Sequence, residues 1–213
     1  SELSIIQSYM ETQEYKFRKD SGFKTELEGL IRDELINHVR ESEMKDKVTV
    51  TGTESEVGTS KKGDVLAVIH TEDGTKNLAI EVKFASSFQI GDKRNVTTKG
   101  VRADAGKQVI EQILGSQANR NSEYCLFVID KSLNPIDLGG RSIVFYPDIK
   151  GFIVVVDVES GDFDALKVCY DIARSMTISQ QTLDFDYGVF SFLLKDLQET
   201  MSRQKHIKDA GRT

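Results

Sequence analysis

The sequence predicts an α/β protein with a central mixed β-sheet flanked by helices. Two apolar runs, at 64–70 and 77–84, are joined by a segment containing Asp73-Gly74, a dipeptide typical of hairpin turns. A helical pattern at about 105–118 then leads into a buried strand at 124–129. A hairpin gives antiparallel pairing, whereas a strand, a helix and a further strand favour parallel pairing. Both directions are therefore expected in one sheet.

The remaining elements complete this layout. From Gly22 onward, apolar residues recur at the helical period of 3.6 residues, with charged residues between them. Further predicted elements are strands at 48–51, 142–146 and 152–158, a helix at about 163–176 and an exposed loop at 86–107. We expect one domain over 20–180, followed by a charged C-terminal helix over 181–213.

Composition limits the class of protein. Of its 213 residues, 38% are hydrophobic and 29% charged, as in a globular domain with its own core. No apolar run is long enough to cross a membrane, no signal peptide is expected, and the initial Ser1 suggests a processed or excised chain. Cys125 and Cys169 lack metal-ligand spacing and are expected to be buried thiols, which favours the cytoplasm. A net charge of −6 argues against a generally basic nucleic-acid binder but not against a local basic patch.

The most informative motif is Glu81-Val82-Lys83, which follows an apolar strand and is preceded along the chain by Asp64. Side chains two residues apart on a strand point to the same face, so Glu81 and Lys83 are expected side by side. With Asp73-Gly74 as a two-residue turn, Asp64 would face Lys83. Asp64 and Glu81 would then be diagonal neighbours on that face, about 7–8 Å apart at the backbone.

These residue types suit cation-dependent chemistry. Two carboxylates without nearby His or Cys select a hard cation, Mg²⁺ or Mn²⁺, and the carbonyl of Val82 offers one more ligand. Lys83 would orient a water nucleophile or stabilise charge in the transition state. The alternative is a solvated edge strand whose acid and lysine have no catalytic role. The apolar neighbours of Glu81 favour a central strand instead.

Gly63-Asp64 followed by Glu81-Val82-Lys83 resembles the motif of the PD-(D/E)xK nuclease superfamily, with Gly63 in place of the proline. The resemblance covers roughly 20–160 and implies a restriction-endonuclease-like fold and Mg²⁺-dependent hydrolysis of DNA. It also implies an auxiliary metal or water ligand at Glu26, because Gly22-Phe23-Lys24-Thr25-Glu26 resembles the Gly-x-x-x-Glu of that superfamily. Gln108 matches a polar active-site position of several subfamilies. Without the resemblance, both side chains are ordinary polar residues near helix starts.

DNA is the expected partner, and basic residues before Asp64 and in the loop after the hairpin would contact its backbone. They are Lys61, Lys62, Lys93, Arg94, Lys99, Arg102 and Lys107. The alternative for this set is a solvated loop.

Two functions follow from the sequence. The first is a metal-dependent deoxyribonuclease with Asp64, Glu81 and Lys83 at its centre. The second is a non-catalytic DNA-binding or assembly module within a larger coiled-coil protein, because the C-terminal part resembles bacterial proteins that join such a core to coiled coils. Assembly into a homo-oligomer is left open.

Overall fold

A computed structural model describes residues 21–51, 64–83, 109–131, 138, 140–179, 190, 193–197, 199–200 and 203, with side chains from Glu28 onward. The helices are α1 (Ser21–Glu41), α2 (Val109–Asn119) and α3 (Asp164–Ile178). The strands are β1 (Lys47–Val50), β2 (Val65–Thr71), β3 (Gly74–Lys83), β4 (Ser122–Asp130), β5 (Ile143–Tyr146) and β6 (Gly151–Val156). A short 3-10 helix, Pro147–Ile149, joins β5 to β6. The predicted loop at 86–107 lies outside the described residues.

The strands form one six-stranded sheet in the order β1-β2-β3-β4-β6-β5. β3, β4 and β6 run parallel, whereas the β1–β2, β2–β3 and β5–β6 pairs are antiparallel. The parallel β3–β4 step needs a crossover, and α2 lies within it. The predicted fold class, a mixed sheet flanked by helices, is confirmed.

α1 and α3 cover one face of the sheet. In α1 the buried residues Ile31, Leu35 and Val39 recur at four-residue spacing, so they form one apolar stripe. They pack in the larger hydrophobic core with alternate residues of the strands, such as Ile80 and Val82. This face therefore holds most of the buried apolar surface.

α2 covers the opposite face. Its Val109 and Ile113 pack against Ala79 and Phe127 in a second, smaller core. Gly151 is needed beneath this helix, because a Cβ there would lie 2.8 Å from Cγ2 of Ile113. Close approach of α2 to the sheet places its polar residues against the strands as well.

A partly buried ion pair joins α3 to the residue before β1. The Asp46 carboxylate accepts hydrogen bonds from the Tyr170 hydroxyl at 2.8 Å and from Arg174 Nε at 2.5 Å. Burial and the negative charge of Asp46 raise the pKa of Tyr170 well above its ordinary value. The hydrogen bond to Asp46 raises the pKa of Arg174, although burial opposes it. This cluster anchors α3 beside the edge of the sheet.

The hairpin has a different register from the one expected from sequence. Thr71 pairs with Gly74, so the two-residue turn is Glu72-Asp73 rather than Asp73-Gly74. A turn centred on Asp-Gly requires positive φ at both residues. Asp73 is not among the residues with positive φ, whereas Gly74 follows the turn at φ 131°. The pairing is thus displaced by two residues, which leaves every side chain on its expected face.

The C-terminal segment is only partly described. The residues 190, 193–197, 199–200 and 203 are helical. Phe190 packs edge-to-face on Phe145, with 5.5 Å between the ring centroids. Leu194 is buried in the larger core, whereas Leu193 is more than half exposed. None of the helices that the structure describes is both long enough and apolar enough to span a membrane.

Candidate active site

The hairpin brings the acid-acid-lysine set together. Val65 pairs with Ile80, and extending this register by one residue places Asp64 opposite Glu81. The expected pairing of Asp64 with Lys83 is therefore wrong, but all three side chains share the sheet face covered by α2. Directly opposite positions lie closer at the Cβ atoms than the expected diagonal ones.

The ammonium of Lys83 contacts both carboxylates. Its Nζ lies 2.5 Å from Oε1 of Glu81 and 3.3 Å from Oδ2 of Asp64. The acids are buried, with side chains 1% and 3% exposed, and the Lys83 side chain is 17% exposed. Ionic groups at this depth carry a desolvation cost of several kcal/mol each. Their mutual contact offsets part of that cost.

Backbone bonds fix the position of Asp64. Its Oδ2 accepts a hydrogen bond from the Val82 N–H at 2.9 Å, while its carbonyl accepts one from the Thr51 N–H at 2.9 Å. The Thr51 carbonyl in turn accepts a bond at 2.8 Å from the buried guanidinium of Arg120, just beyond the end of α2. Asp64 is thereby held to both β1 and β3.

A serine of α2 contacts the second acid. The hydroxyl of Ser116 donates to Oε2 of Glu81 at 2.6 Å, and Ser116 is fully buried. Because Lys83 contacts the other oxygen of Glu81, different residues hold the two ends of this carboxylate. The plane of the carboxylate is thus set by the protein.

The local charge explains the protonation of the lysine. Burial lowers the pKa of Lys83, but the charges of Glu81 and Asp64 and their hydrogen bonds outweigh it, so the net shift is upward. Burial raises the pKa of Cys125 on the adjacent strand, and the negative charge of Glu81 raises it further. Lys83 is therefore a cation and a hydrogen-bond donor at neutral pH, not a base.

The residues present fit a hard divalent cation. Asp64 and Glu81 offer only oxygen ligands, and the pair exceeds the charge of Lys83 by one negative unit. Among the described residues no group of three or more His, Cys, Asp or Glu side chains is placed to hold a metal. A cation here would complete its coordination with backbone, water or substrate oxygens, as Mg²⁺ commonly does.

Several predicted residues lie outside the described part of the chain. Glu26 belongs to α1, but its side chain is not described. Gln108 precedes the described part of α2. All seven basic residues expected to contact DNA also lie outside: Lys61, Lys62, Lys93, Arg94, Lys99, Arg102 and Lys107. The side chain of Val82 packs in the larger core on the opposite face, while its N–H bonds to Asp64.

Sequence reasoning missed three buried polar residues, of which Ser116 bonds to Glu81 and Arg120 bonds to Thr51 beside Asp64. Ser116 and Arg120 are one helical turn apart, and both are buried. Glu28 is buried in α1, on the same stripe as Ile31 and Leu35. The available signal was periodicity for Glu28 and Ser116, because each lies three residues from a buried isoleucine of its own helix, Ile31 and Ile113. Arg120 lies beyond the end of α2 and carries no such signal.

Comparison with known proteins finds no family model, no curated protein and no solved structure that matches this chain.

Proposed function

We propose that this protein is a Mg²⁺- or Mn²⁺-dependent nuclease that hydrolyses phosphodiester bonds of DNA, as the resemblance to the PD-(D/E)xK superfamily implies. One observation carries the proposal: the Lys83 ammonium lies against both Asp64 and Glu81 on one face of a central hairpin. A mixed sheet with Glu81 on β3 and Asp64 directly before the neighbouring β2 supports it.

Each residue has a defined role in this mechanism. Asp64, Glu81 and the carbonyl of Val82 would hold the cation. When bound, the cation supplies Lewis-acid polarisation of the phosphate and lowers the pKa of a water ligand. Lys83, kept protonated by the two acids, would donate a hydrogen bond to the attacking water or to a phosphate oxygen that gains charge. Glu26 and Gln108 remain proposed auxiliary residues.

The burial of the set favours a catalytic role. A lysine and two acids buried in a sheet cost more than apolar residues of similar size, so their retention calls for a function beyond stability. A buried lysine whose pKa is raised by contacting carboxylates is a feature found in many active sites. The basic residues from Lys61 to Lys107 would supply phosphate contacts.

The test is cleavage of supercoiled and linear DNA with Mg²⁺, with Mn²⁺ and with EDTA. Wild type should cleave only with a divalent cation, and Asp64→Asn, Glu81→Gln and Lys83→Met should each lose at least about 100-fold in rate. Asp130→Asn is the matched control. Its buried carboxylate, at the end of β4, accepts the Val158 N–H at 3.0 Å and lies on the opposite sheet face. Cleavage in EDTA, or equal loss in the control, would contradict the mechanism.

A non-catalytic DNA-binding or assembly module is the second candidate. The contact of Lys83 with both carboxylates favours it in one respect, because the lysine compensates acidic charge without a metal. In that case DNA would bind in a gel-shift assay without being cut under any cation. Glu81→Gln would leave the affinity for DNA unchanged.

A further inference from the structure

Ser116 occupies an unusual position for a helical serine. A serine or threonine inside a helix commonly donates its hydroxyl to the carbonyl four residues earlier. Thr177 and Ser175 of α3 do so, each at 2.8 Å, to the carbonyls of Ala173 and Asp171. Ser116 instead donates across to Oε2 of Glu81 at 2.6 Å. Its hydroxyl therefore donates a hydrogen bond to the sheet rather than to its own helix.

The bond complements the contact made by Lys83. The terminal torsion of a glutamate is broad and roughly two-fold, so a carboxylate with one contact can rotate. Oε1 of Glu81 lies 2.5 Å from the Lys83 ammonium, and Ser116 holds Oε2. Both oxygens are thus fixed in one plane. A cation that binds Glu81 meets a carboxylate already oriented.

We propose that Ser116 is a positioning residue that orients Glu81 for divalent-cation binding. This inference rests on the proposed cation site but does not require turnover. Groups that hydrogen-bond metal ligands typically contribute about 10- to 100-fold in metal affinity. Ser116→Ala should therefore weaken cation binding by about this factor. It should leave the fold in place, because alanine is the better helix former.

The experiment is calorimetric titration with Mn²⁺ of wild type, Ser116→Ala, Ser116→Thr and Ser122→Ala, each checked for cooperative urea unfolding. Ser122 is the matched control, because its buried hydroxyl bonds to the carbonyls of Asn77 and Tyr124 and not to Glu81. Ser116→Ala should weaken Mn²⁺ binding about 10- to 100-fold, Ser116→Thr should restore most of it, and Ser122→Ala should change it less than about 2-fold.

The outcomes separate the inference from the proposed function. Unchanged Mn²⁺ affinity in Ser116→Ala, or equal weakening in Ser122→Ala, would overturn the positioning role alone. A third outcome is that wild type binds Mn²⁺ and Ser116→Ala binds it more weakly, but wild type does not cleave DNA. That result would support the positioning role of Ser116 and reject the proposed nuclease activity. Wild type without Mn²⁺ binding would overturn both.

Discussion

Replacing Lys83 with methionine removes the ammonium between the two buried acids while keeping an unbranched side chain that is only one atom shorter. At an effective dielectric constant of about 20, contacts of 2.5 and 3.3 Å correspond to about 7 and 5 kcal/mol of attraction. Desolvation of the ions offsets much of this. Removing one partner of a buried ion pair typically costs about 3–5 kcal/mol, and we expect a loss of that size in the free energy of unfolding.

Urea unfolding in EDTA measures this loss, and Lys167→Met is the matched control. Lys167 pairs with Glu34 at 3.3 Å, but both side chains are partly exposed, so its loss should be below about 1 kcal/mol. Mn²⁺ should then stabilise Lys83→Met more than wild type, because no ammonium competes for the acids. At about 100 times the Kd, a bound cation adds about 2.7 kcal/mol.

Two results would refute this reasoning separately. Equal urea midpoints for Lys83→Met and wild type would mean that the ammonium is not held between the carboxylates. Destabilisation of Lys83→Met without stabilisation by Mn²⁺ would support the ion pair of wild type but reject a cation site at Asp64 and Glu81.

Three further predictions concern stability. Tyr170→Phe removes a hydrogen-bond donor to the Asp46 carboxylate and should lower the free energy of unfolding, measured in urea, by about 1–2 kcal/mol. An unchanged urea midpoint would contradict the hydrogen bond. Gly151→Ala should cost about 1–3 kcal/mol in the same assay, because the new methyl would meet Ile113 at 2.8 Å, and a neutral result would mean that α2 moves away without cost. The pKa of Lys83 is raised in the folded protein, so its ionised form stabilises the fold. This stabilisation is fully present below the unfolded-state pKa of about 10.4 and is lost as pH rises through the folded-state pKa. The difference in unfolding free energy between wild type and Lys83→Met should therefore be constant from about pH 7 to 9.5 and shrink above about pH 10.4, and a difference that shrinks already near pH 8 would contradict the shift.

The shared face of the acid-acid-lysine set could be predicted from sequence, although its register could not. Alternation along a strand depends only on residue parity, so Asp64, Glu81 and Lys83 stay on one face whether the turn is Asp73-Gly74 or Glu72-Asp73. The choice between these turns depends on backbone φ, and the Asp-Gly dipeptide allows Gly74 either inside the turn or directly after it.

The polar contacts of α2 were harder to predict. The strand-helix-strand order predicts that a helix crosses between β3 and β4, but not which of its turns lies over Glu81. Ser116 is a small polar residue between Gly115 and Gln117, and a helix pattern gives no sign that its hydroxyl reaches the sheet. Arg120 lies just beyond the helix, where a basic residue usually complements the helix dipole rather than being buried.

The hydrogen bonds of the site join residues at different separations along the sequence, and this difference affects the order in which they form during folding. The bond from Val82 to Asp64 closes 18 residues, whereas the bond from Ser116 to Glu81 closes 35 and requires docking of α2. Closing the longer segment costs more chain entropy, and nonlocal contacts form more slowly. We therefore expect the hairpin to bring the two acids together early in folding, and the orientation of Glu81 to be completed only when the crossover helix arrives.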